Sequence, residues 1–232
     1  MYDQAVPRSP DHTNNGRSEA TWVLAKSVCL QSYMSSIVQG CEYEYIEQDL
    51  SNKSDLLLQC NPVYKKVPVL LHREKPISKP VVILEYIEET WPEYHLLPED
   101  TYGRDLARFW IQFYVSHFSC IFRINCRRRW TKDNRISVGN AEILEEQGLG
   151  DKKFFGGDGT KLVDITHGWL ALWFEAIEEM VGVKLLEPST LPRLHAWVQN
   201  FKQVPVIRDN LPDYQKLVAH MKRVREMLVP QA

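Results

Sequence analysis

The stretch 61-NPVYKKVPVLLHREKPISKPVVILEYIEETW-91 decides the fold of this chain. Its first half contains a short apolar run, Val67–Leu71, with a proline at position 68. Proline cannot donate to a strand ladder, so it is tolerated only at a strand start, an edge or a bulge. A cis Val67–Pro68 bond would present the Val67 backbone to an extended ligand. Because X-Pro bonds in folded proteins are mostly trans, we expect instead a trans proline that opens a strand.

The second half of this stretch predicts a turn, a short strand and then a helix. Glu74-Lys75-Pro76 is a polar turn signal, and Ile77-Ser78 leaves room for one short strand. From Pro80 onward, apolar residues recur three and four positions apart, which indicates a helix with proline in its first turn. The start of that helix is a candidate anion site, because its first backbone N–H groups have no partner within the helix.

Two further strands are predicted upstream. Thr21–Ala25 is a candidate first strand, and Glu42–Ile46 alternates polar and apolar residues at the period of a half-buried strand. Val28–Val38 and Lys53–Gln59 are predicted as short helices. The order is therefore strand–helix–strand followed by strand–strand–helix, the thioredoxin-like arrangement, in which a crossover helix joins parallel strands.

The rest of the chain is predicted to be all helical. One long helix carries an apolar stripe, and a second stripe on the same helix indicates burial on more than one side, as in the central helix of a bundle that lines a cavity. The first stripe comprises Leu106, Phe109, Trp110, Phe113, His117, Cys120, Ile121 and Ile124, and the second comprises Tyr114, Phe118 and Phe122.

Length and composition predict two packed domains. The chain has 232 residues, 44% hydrophobic residues and a net charge of −2, which favours neither disorder nor nucleic-acid binding. We expect a flexible tail over 1–18, a thioredoxin-like domain over 19–90, a linker over 91–101 and a helical domain over 102–232. No run reaches the length of a membrane span, and the N-terminus lacks an apolar signal core. The five cysteines show no zinc spacing, so reduced thiols, a cytoplasmic location and no metal are expected.

Several motifs along the chain resemble plant glutathione transferases of the tau class. The stretch quoted above resembles their thioredoxin-like domain, and the resemblance extends from Cys41 to the C-terminus. It implies a thioredoxin-like N-terminal domain, an all-helical C-terminal domain and a homodimer. The matching motifs include EYEYIEQDLSNKSDLLLQ (Glu42–Gln59), ARFW (Ala107–Trp110), ILEEQGLGDKKFFGGD (Ile143–Asp158) and FKQVPVIRDNLPD (Phe201–Asp213).

The resemblance also implies the chemistry. Glutathione, as co-substrate, would supply a thiolate that attacks a small hydrophobic electrophile, and a serine near the first helix would stabilise that thiolate. A gap-free alignment places Lys26 at the serine position, with Ser27 next to it. Either residue could serve, the lysine by its charge and the serine by a hydrogen bond, because the thiolate is the reactive form. Lys26 could equally be a solvated surface residue, and Cys29, a candidate thiolate of its own, could equally be a plain buried cysteine.

Other glutathione contacts of the family fall on this sequence without gaps. Lys53 and Lys66 match basic positions, and Val67 matches the residue whose backbone pairs with glutathione. The family's glutamate–serine pair, which holds the γ-glutamyl ammonium and carboxylate, is replaced by Lys79-Pro80. Lysine repels an ammonium, and proline offers neither a hydroxyl nor an N–H. These changes predict weak glutathione binding, although Lys79 could still attract a carboxylate.

The helical domain is expected to supply a pocket for the small hydrophobic substrate. His117 and His167 stand where the resemblance predicts other residues, and a histidine in an apolar pocket can act as an acid or a base near neutral pH. Each could equally be a core histidine with a backbone partner. Two further functions therefore stay open: a glutathione-independent isomerase, lyase or cyclase of plant metabolism, and a carrier of apolar small molecules. The predicted pocket comprises Trp110, Tyr114, His117, Phe118 and Trp173.

Overall fold

A computed structural model describes residues 20–24, 43–49, 52–91, 95–127, 135–182, 184, 186–211 and 213–228. The chain divides into two compact units, one up to residue 93 and one from residue 94. The polar tail over 1–18 and the helix predicted over Val28–Val38 lie outside the described residues. Among the helices of the described ranges, none is long and apolar enough to cross a membrane.

The described part of the first unit contains a four-stranded sheet with the strand order β2-β1-β3-β4. β1 is parallel to β2 and antiparallel to β3, and β3 is antiparallel to β4. This arrangement confirms the predicted order of strands. The strands are β1 (Ala20–Leu24), β2 (Tyr43–Glu47), β3 (Val69–His72) and β4 (Lys75–Ser78), and the helices are α1 (Asp55–Cys60) and α2 (Pro80–Thr90).

Strand β3 carries the core of this unit because it is buried on both faces. Successive side chains of a strand point to opposite faces of the sheet, and both Val69 and Leu70 are fully buried. Leu70 packs with Ile83 of α2, whereas Val69 packs with Leu57 of α1. The apolar run of the sequence is thus the strand against which both helices pack.

Pro68 lies immediately before β3 and is buried, as predicted for a proline that opens a strand. The Val67–Pro68 peptide bond is cis. Our expectation of a trans bond was therefore wrong, and the alternative geometry is the one that occurs. The isomer depends on the contacts around the bond, which the two residue names do not specify.

The β3–β4 hairpin turns through two residues, Arg73 and Glu74, whose φ angles are 48° and 65°. His72 pairs with Lys75 across the turn, which identifies a two-residue loop with two positive φ angles. Such type I′ turns favour Asn-Gly, because an ordinary side chain in the left-handed region costs about 1–2 kcal/mol. The backbone of this hairpin thus has the type I′ geometry that suits a two-residue turn, but Arg73 and Glu74 are unfavourable residues for its positive φ angles.

We expect Arg73→Asn combined with Glu74→Gly to raise the free energy of unfolding by about 1–2 kcal/mol. Urea unfolding followed by circular dichroism at neutral pH measures the gain. The control is a double substitution of the same residues to alanine, which removes the same exposed side chains but keeps both β-carbons, and we expect no gain from it. Equal effects of the two double variants would show that backbone strain is not the cause.

The second unit is helical, as predicted, and α5 lies at its centre, packed against α3, α6 and α8. Gly168 allows the close approach of α6 to α5, because a β-carbon there would lie 2.4 Å from the ring of Phe201. The helices are α3 (Thr101–Arg127), α4 (Arg135–Ile143), which continues as a π-helical segment (Leu144–Leu149), α5 (Leu162–Val181), α6 (Pro192–Gln203), α7 (Pro205–Arg208) and α8 (Tyr214–Leu228).

The buried face of α3 matches the stripe that we predicted first only in part, since Trp110 of that stripe is buried. Leu106 and Phe109, two members of that stripe, are 42% and 56% exposed, and His117 is exposed as well. The helix has two apolar stripes, and hydrophobic spacing alone does not tell which of them faces a neighbouring helix. The buried residues of its described first half are Ala107, Trp110, Ile111 and Tyr114.

Candidate functional site

The predicted thiol activators, Lys26 and Ser27, lie outside the described residues, as does Cys29. Their roles stay predictions. The described part of the site consists of the segment from α1 to β3 and the start of α2, all within the first unit.

Hydrogen bonds fix the approach to α1 and the loop that follows it. Ser54 begins the helix: its hydroxyl accepts a hydrogen bond from the Leu57 N–H at 3.2 Å and donates one to Gln48 at 2.6 Å. Lys53, the residue before this cap, is exposed. After the helix, the buried Asn61 side chain donates to the Lys66 carbonyl at 2.8 Å. The cap and the asparagine thus set the backbone on which two of the predicted glutathione contacts are carried.

Lys79 is the most unusual residue of the site. It stands at the N-cap of α2 with φ 83° and ψ 125°, and its side chain makes no capping hydrogen bond. Its ammonium lies 3.6 Å from the centre of the Tyr64 ring, a cation–π contact between the start of α2 and the loop that carries Lys66. The structure therefore brings the predicted contacts on that loop and on α2 together.

The start of α2 is consequently positive. A helix N-terminus carries a partial positive charge, the exposed Lys79 adds a full one, and Pro80 occupies the first helical position without an N–H to offer. Acidic side chains are absent from the first turn of this helix. This end of α2 is suited to an anionic group and unsuited to an ammonium.

His167 lies in the core of the helical unit. It is 0% exposed, its Nδ1 lies 2.7 Å from the Val163 carbonyl oxygen, and its ring packs 4.9 Å from the ring of Tyr114. Burial lowers the pKa of His167 to about 4, although the hydrogen bond to Val163 acts in the opposite direction. The imidazole is therefore neutral at physiological pH and fits the alternative of a core histidine with a backbone partner.

His117 lies on the surface of α3, where its Nδ1 is 2.9 Å from the Phe113 carbonyl oxygen and its ring stacks on that of Phe113 at 4.4 Å. The structure brings Tyr114 and His167 into contact but does not place His117 with them. Nothing is described of the Phe118 side chain. The remaining predicted pocket residues are core residues: Trp110, Tyr114 and Trp173 are 7%, 4% and 3% exposed.

Asp164, which is not among the predicted site residues, organises the core beside His167. Its buried carboxylate accepts four hydrogen bonds, which tie the start of α5 to α6 and to the preceding loop. Burial raises the pKa of this carboxyl, although the four donors act in the opposite direction. The donors are the backbone N–H groups of Phe155 (2.8 Å), Gly156 (3.1 Å) and Lys161 (2.9 Å) and the indole N–H of Trp197 (2.9 Å).

A cavity of about 600 Å³ opens between α5, α6 and α8, away from the residues predicted to line a pocket. At the rim of this cavity, the Tyr214 hydroxyl donates a hydrogen bond to Glu179 at 2.8 Å. Burial and this contact raise the pKa of Tyr214 to about 12. The carboxylates that line the cavity are already engaged with lysines, which fits a structural role. The pairs are Glu175–Lys202 (2.6 Å), Glu178–Lys184 (3.0 Å) and Glu179–Lys222 (3.9 Å).

Comparison with known proteins places the chain in a family. Residues 25–89 match the model of the glutathione S-transferase N-terminal domain. A probable glutathione S-transferase of Glycine max is 40% identical over 196 residues, which are 82% of this chain and 86% of that protein. The tau-class glutathione S-transferase of mango has a similar structure, with a TM-score of 0.80 and 30% identity over 88% of this chain and 98% of the mango chain.

A rice glutathione S-transferase, solved in complex with glutathione, has the same TM-score of 0.80 and 30% identity over 92% of this chain and 99% of the rice chain. These matches span the N-terminal domain and nearly the whole length of the solved relatives. They agree with the strand order, the two units and the motifs along the sequence. The chain therefore belongs to the glutathione S-transferase family, as a plant tau-class-like member.

Proposed function

We propose that this protein is a cytoplasmic, homodimeric tau-class-like transferase that handles small hydrophobic electrophiles and whose glutathione site has diverged. Lys79 carries this proposal. The residue begins α2 with an ammonium that lies on the Tyr64 ring, at the position where the family resemblance implies a carboxylate for the γ-glutamyl ammonium. The fold is retained. The protein residue expected to face the γ-glutamyl ammonium carries a positive charge in place of a negative one.

The rest of the glutathione site is compatible with the co-substrate. Lys53 and Lys66 are exposed cations that can attract its carboxylates, and Val67 precedes the cis-proline at the position of the backbone contact. A carboxylate of the γ-glutamyl group can also pair with Lys79, whereas its ammonium is repelled. The protein is therefore expected to bind glutathione, but weakly.

Glutathione-independent chemistry is the second candidate function. Lys79 favours it as well, because a protein that binds glutathione weakly can use the same fold for a reaction that needs no glutathione. His167 and His117 are its predicted acid–base groups. The first is fully buried and neutral, and the second is exposed on α3. A fold does not determine an activity, and neither histidine lines the cavity between α5, α6 and α8, so the transferase remains the better-supported function.

The thiol activator can be assigned by substitution. We expect Lys26→Ala or Ser27→Ala to lower the rate of conjugation to an aryl halide by about 10- to 100-fold, because a charge-assisted hydrogen bond to the thiolate contributes about 1.5–3 kcal/mol. Conjugation is followed spectrophotometrically at high glutathione concentration across pH 6 to 9, so that a change in thiolate fraction appears as a shift of the profile.

Lys65→Ala is the matched control, since it removes an exposed lysine next to a predicted contact without touching the predicted activators. Its rate should equal that of the unaltered protein. If the unaltered, folded protein shows no conjugation above the uncatalysed rate at any pH, the transferase proposal is wrong, and glutathione-independent chemistry and a carrier of apolar small molecules stay open.

A further inference from the structure

His167 combines complete burial with a fixed tautomer and a ring nitrogen that has no partner. The Val163 carbonyl oxygen, 2.7 Å from Nδ1, can only accept a hydrogen bond, so Nδ1 carries the proton. Nε2 is buried and, within the described part of the chain, has no hydrogen-bond partner. A second proton would therefore have to bind at Nε2, where it would create a buried donor and a buried positive charge.

Two aromatic side chains contact the imidazole. The ring of Phe155 stacks on it at 4.8 Å with an angle of 25° between the planes, and the ring of Tyr114 lies at 4.9 Å with an angle of 46°. These contacts suit a neutral ring. A protonated imidazole would exchange full hydration for two aromatic faces, which compensate only part of the lost solvation.

Within the described part of the chain, the charged groups on the surrounding elements pair elsewhere or lie at the surface. On α3, Tyr114 is the titratable side chain in contact with the imidazole, and Arg108 pairs with Asp105 at the surface. On α5 itself, the carboxylate of Asp164 is held by its four donors. On the preceding loop and on α6, Asp151 pairs with Arg193, Lys152 points to the Phe155 carbonyl, Lys153 lies over Phe154, Lys161 donates to the His95 carbonyl and Lys202 pairs with Glu175. Asp158 is exposed, and His195 is partly exposed.

We propose that His167 is an acid-sensitive latch of the helical unit: a second proton on its imidazole releases α5 from Tyr114 of α3 and from Phe155 of the preceding loop. The step is a protonation: Nε2 takes a proton from the solvent and forms an N–H bond, and no other covalent bond changes. Its consequence goes beyond the transferase function, because it makes the packing of the helical unit less stable in an acidic medium, whatever ligand the protein binds.

The direction of the effect follows from the two protonation states. The pKa of His167 is lowered from 6.5 to about 4 by burial, so between these values the unfolded chain holds a proton that the folded chain does not. The stabilisation of the folded state by the neutral imidazole is complete above the pKa of His167 in the unfolded chain. It is lost as the pH falls toward the pKa of His167 in the folded chain. At pH 5 this linkage lowers the folding equilibrium constant by about 30-fold relative to pH 8.

His167→Leu tests the latch, since leucine fills a similar volume without a titratable group. The folding constants of the full-length protein and the variant are measured by urea unfolding at pH 8 and pH 5. We expect the constant of the unaltered protein to fall by about 30-fold more than that of the variant. His72, which is also buried, is present in both proteins, so its contribution cancels. His117→Gln is the control, because it removes an exposed histidine and should keep the full pH dependence.

Equal pH dependence of the unaltered protein and the leucine variant, within a factor of three, would overturn the proposal. If the variant does not fold, nuclear magnetic resonance of the imidazole nitrogens in the unaltered protein decides the matter. The latch predicts an unprotonated Nε2 at pH 6 while the helical unit is folded. A doubly protonated His167 at pH 6 in a fully folded helical unit would contradict it.

Discussion

Lys79→Glu combined with Pro80→Ser should tighten glutathione binding by at least about 100-fold. The double substitution removes a positive charge from the start of α2 and supplies a carboxylate for the γ-glutamyl ammonium, together with a hydroxyl and a backbone N–H for its carboxylate. Two or three hydrogen bonds to charged groups, at about 1.5–3 kcal/mol each, account for a gain of that size. Calorimetric titration with glutathione measures it.

Substitution at these two positions should leave the fold intact. Glutamate would inherit the positive φ of Lys79, so the backbone strain is matched, and the lost cation–π contact with Tyr64 is worth about 0.5–1 kcal/mol at an exposed site. Lys75→Glu is the matched control, because it makes the same charge change at an exposed position of β4. If the double variant and this control both bind glutathione more tightly than the unaltered protein, and by the same factor, the net charge of the protein determines affinity and the α2 site does not.

Asp164→Asn should destabilise the protein by about 3–5 kcal/mol. Each carboxylate oxygen accepts two of the four hydrogen bonds, and an amide would turn an NH₂ group toward two donors. Lost hydrogen bonds to a charged group cost about 1.5–3 kcal/mol each, and the buried N–H groups would be left unpaired. The free energy of unfolding in urea, followed by tryptophan fluorescence, is the measurement.

Asp158→Asn is the control for this effect. Asp158 is an exposed carboxylate in the same loop, so the same chemical change there should alter stability by less than about 0.5 kcal/mol. A loss below about 1 kcal/mol for Asp164→Asn would show that the four hydrogen bonds are replaceable, and that Asp164 does not hold α6 and the loop to the start of α5.

Strands and helices of the described residues were predictable because their residues repeat at clear periods. Glu42–Ile46 alternates at the strand period and forms most of β2, and the helix that begins at Pro80 begins there in the structure. The cis state of the Val67–Pro68 bond was not predictable. The contacts around the bond select the isomer, and the local sequence does not specify those contacts. The two apolar stripes of α3 likewise left its orientation open: Trp110 of the first stripe and Tyr114 of the second are buried, whereas Leu106 and Phe109 of the first are exposed.

The site was predictable to the extent that it depends on residue identity. Lys79-Pro80 can be recognised in the sequence as a reversal of charge, but its contact with Tyr64 depends on the relative position of a loop and a helix within the first unit. Asp164 carried no clear signal, since the residue three positions before it is Lys161 and not the serine or threonine of a capping box. Its bond to Trp197 joins residues far apart in the chain, and no local pattern predicts it.

Calorimetric titration of the unaltered protein with glutathione, side by side with the analogue that lacks the γ-glutamyl amino group, tests the central claim most directly. The analogue keeps the thiol and both carboxylates and removes only the ammonium that Lys79 would repel. A diverged site predicts that the analogue binds more tightly than glutathione itself. Micromolar binding of glutathione, with weaker binding of the analogue, would show that this protein still recognises the ammonium and that its glutathione site has not diverged.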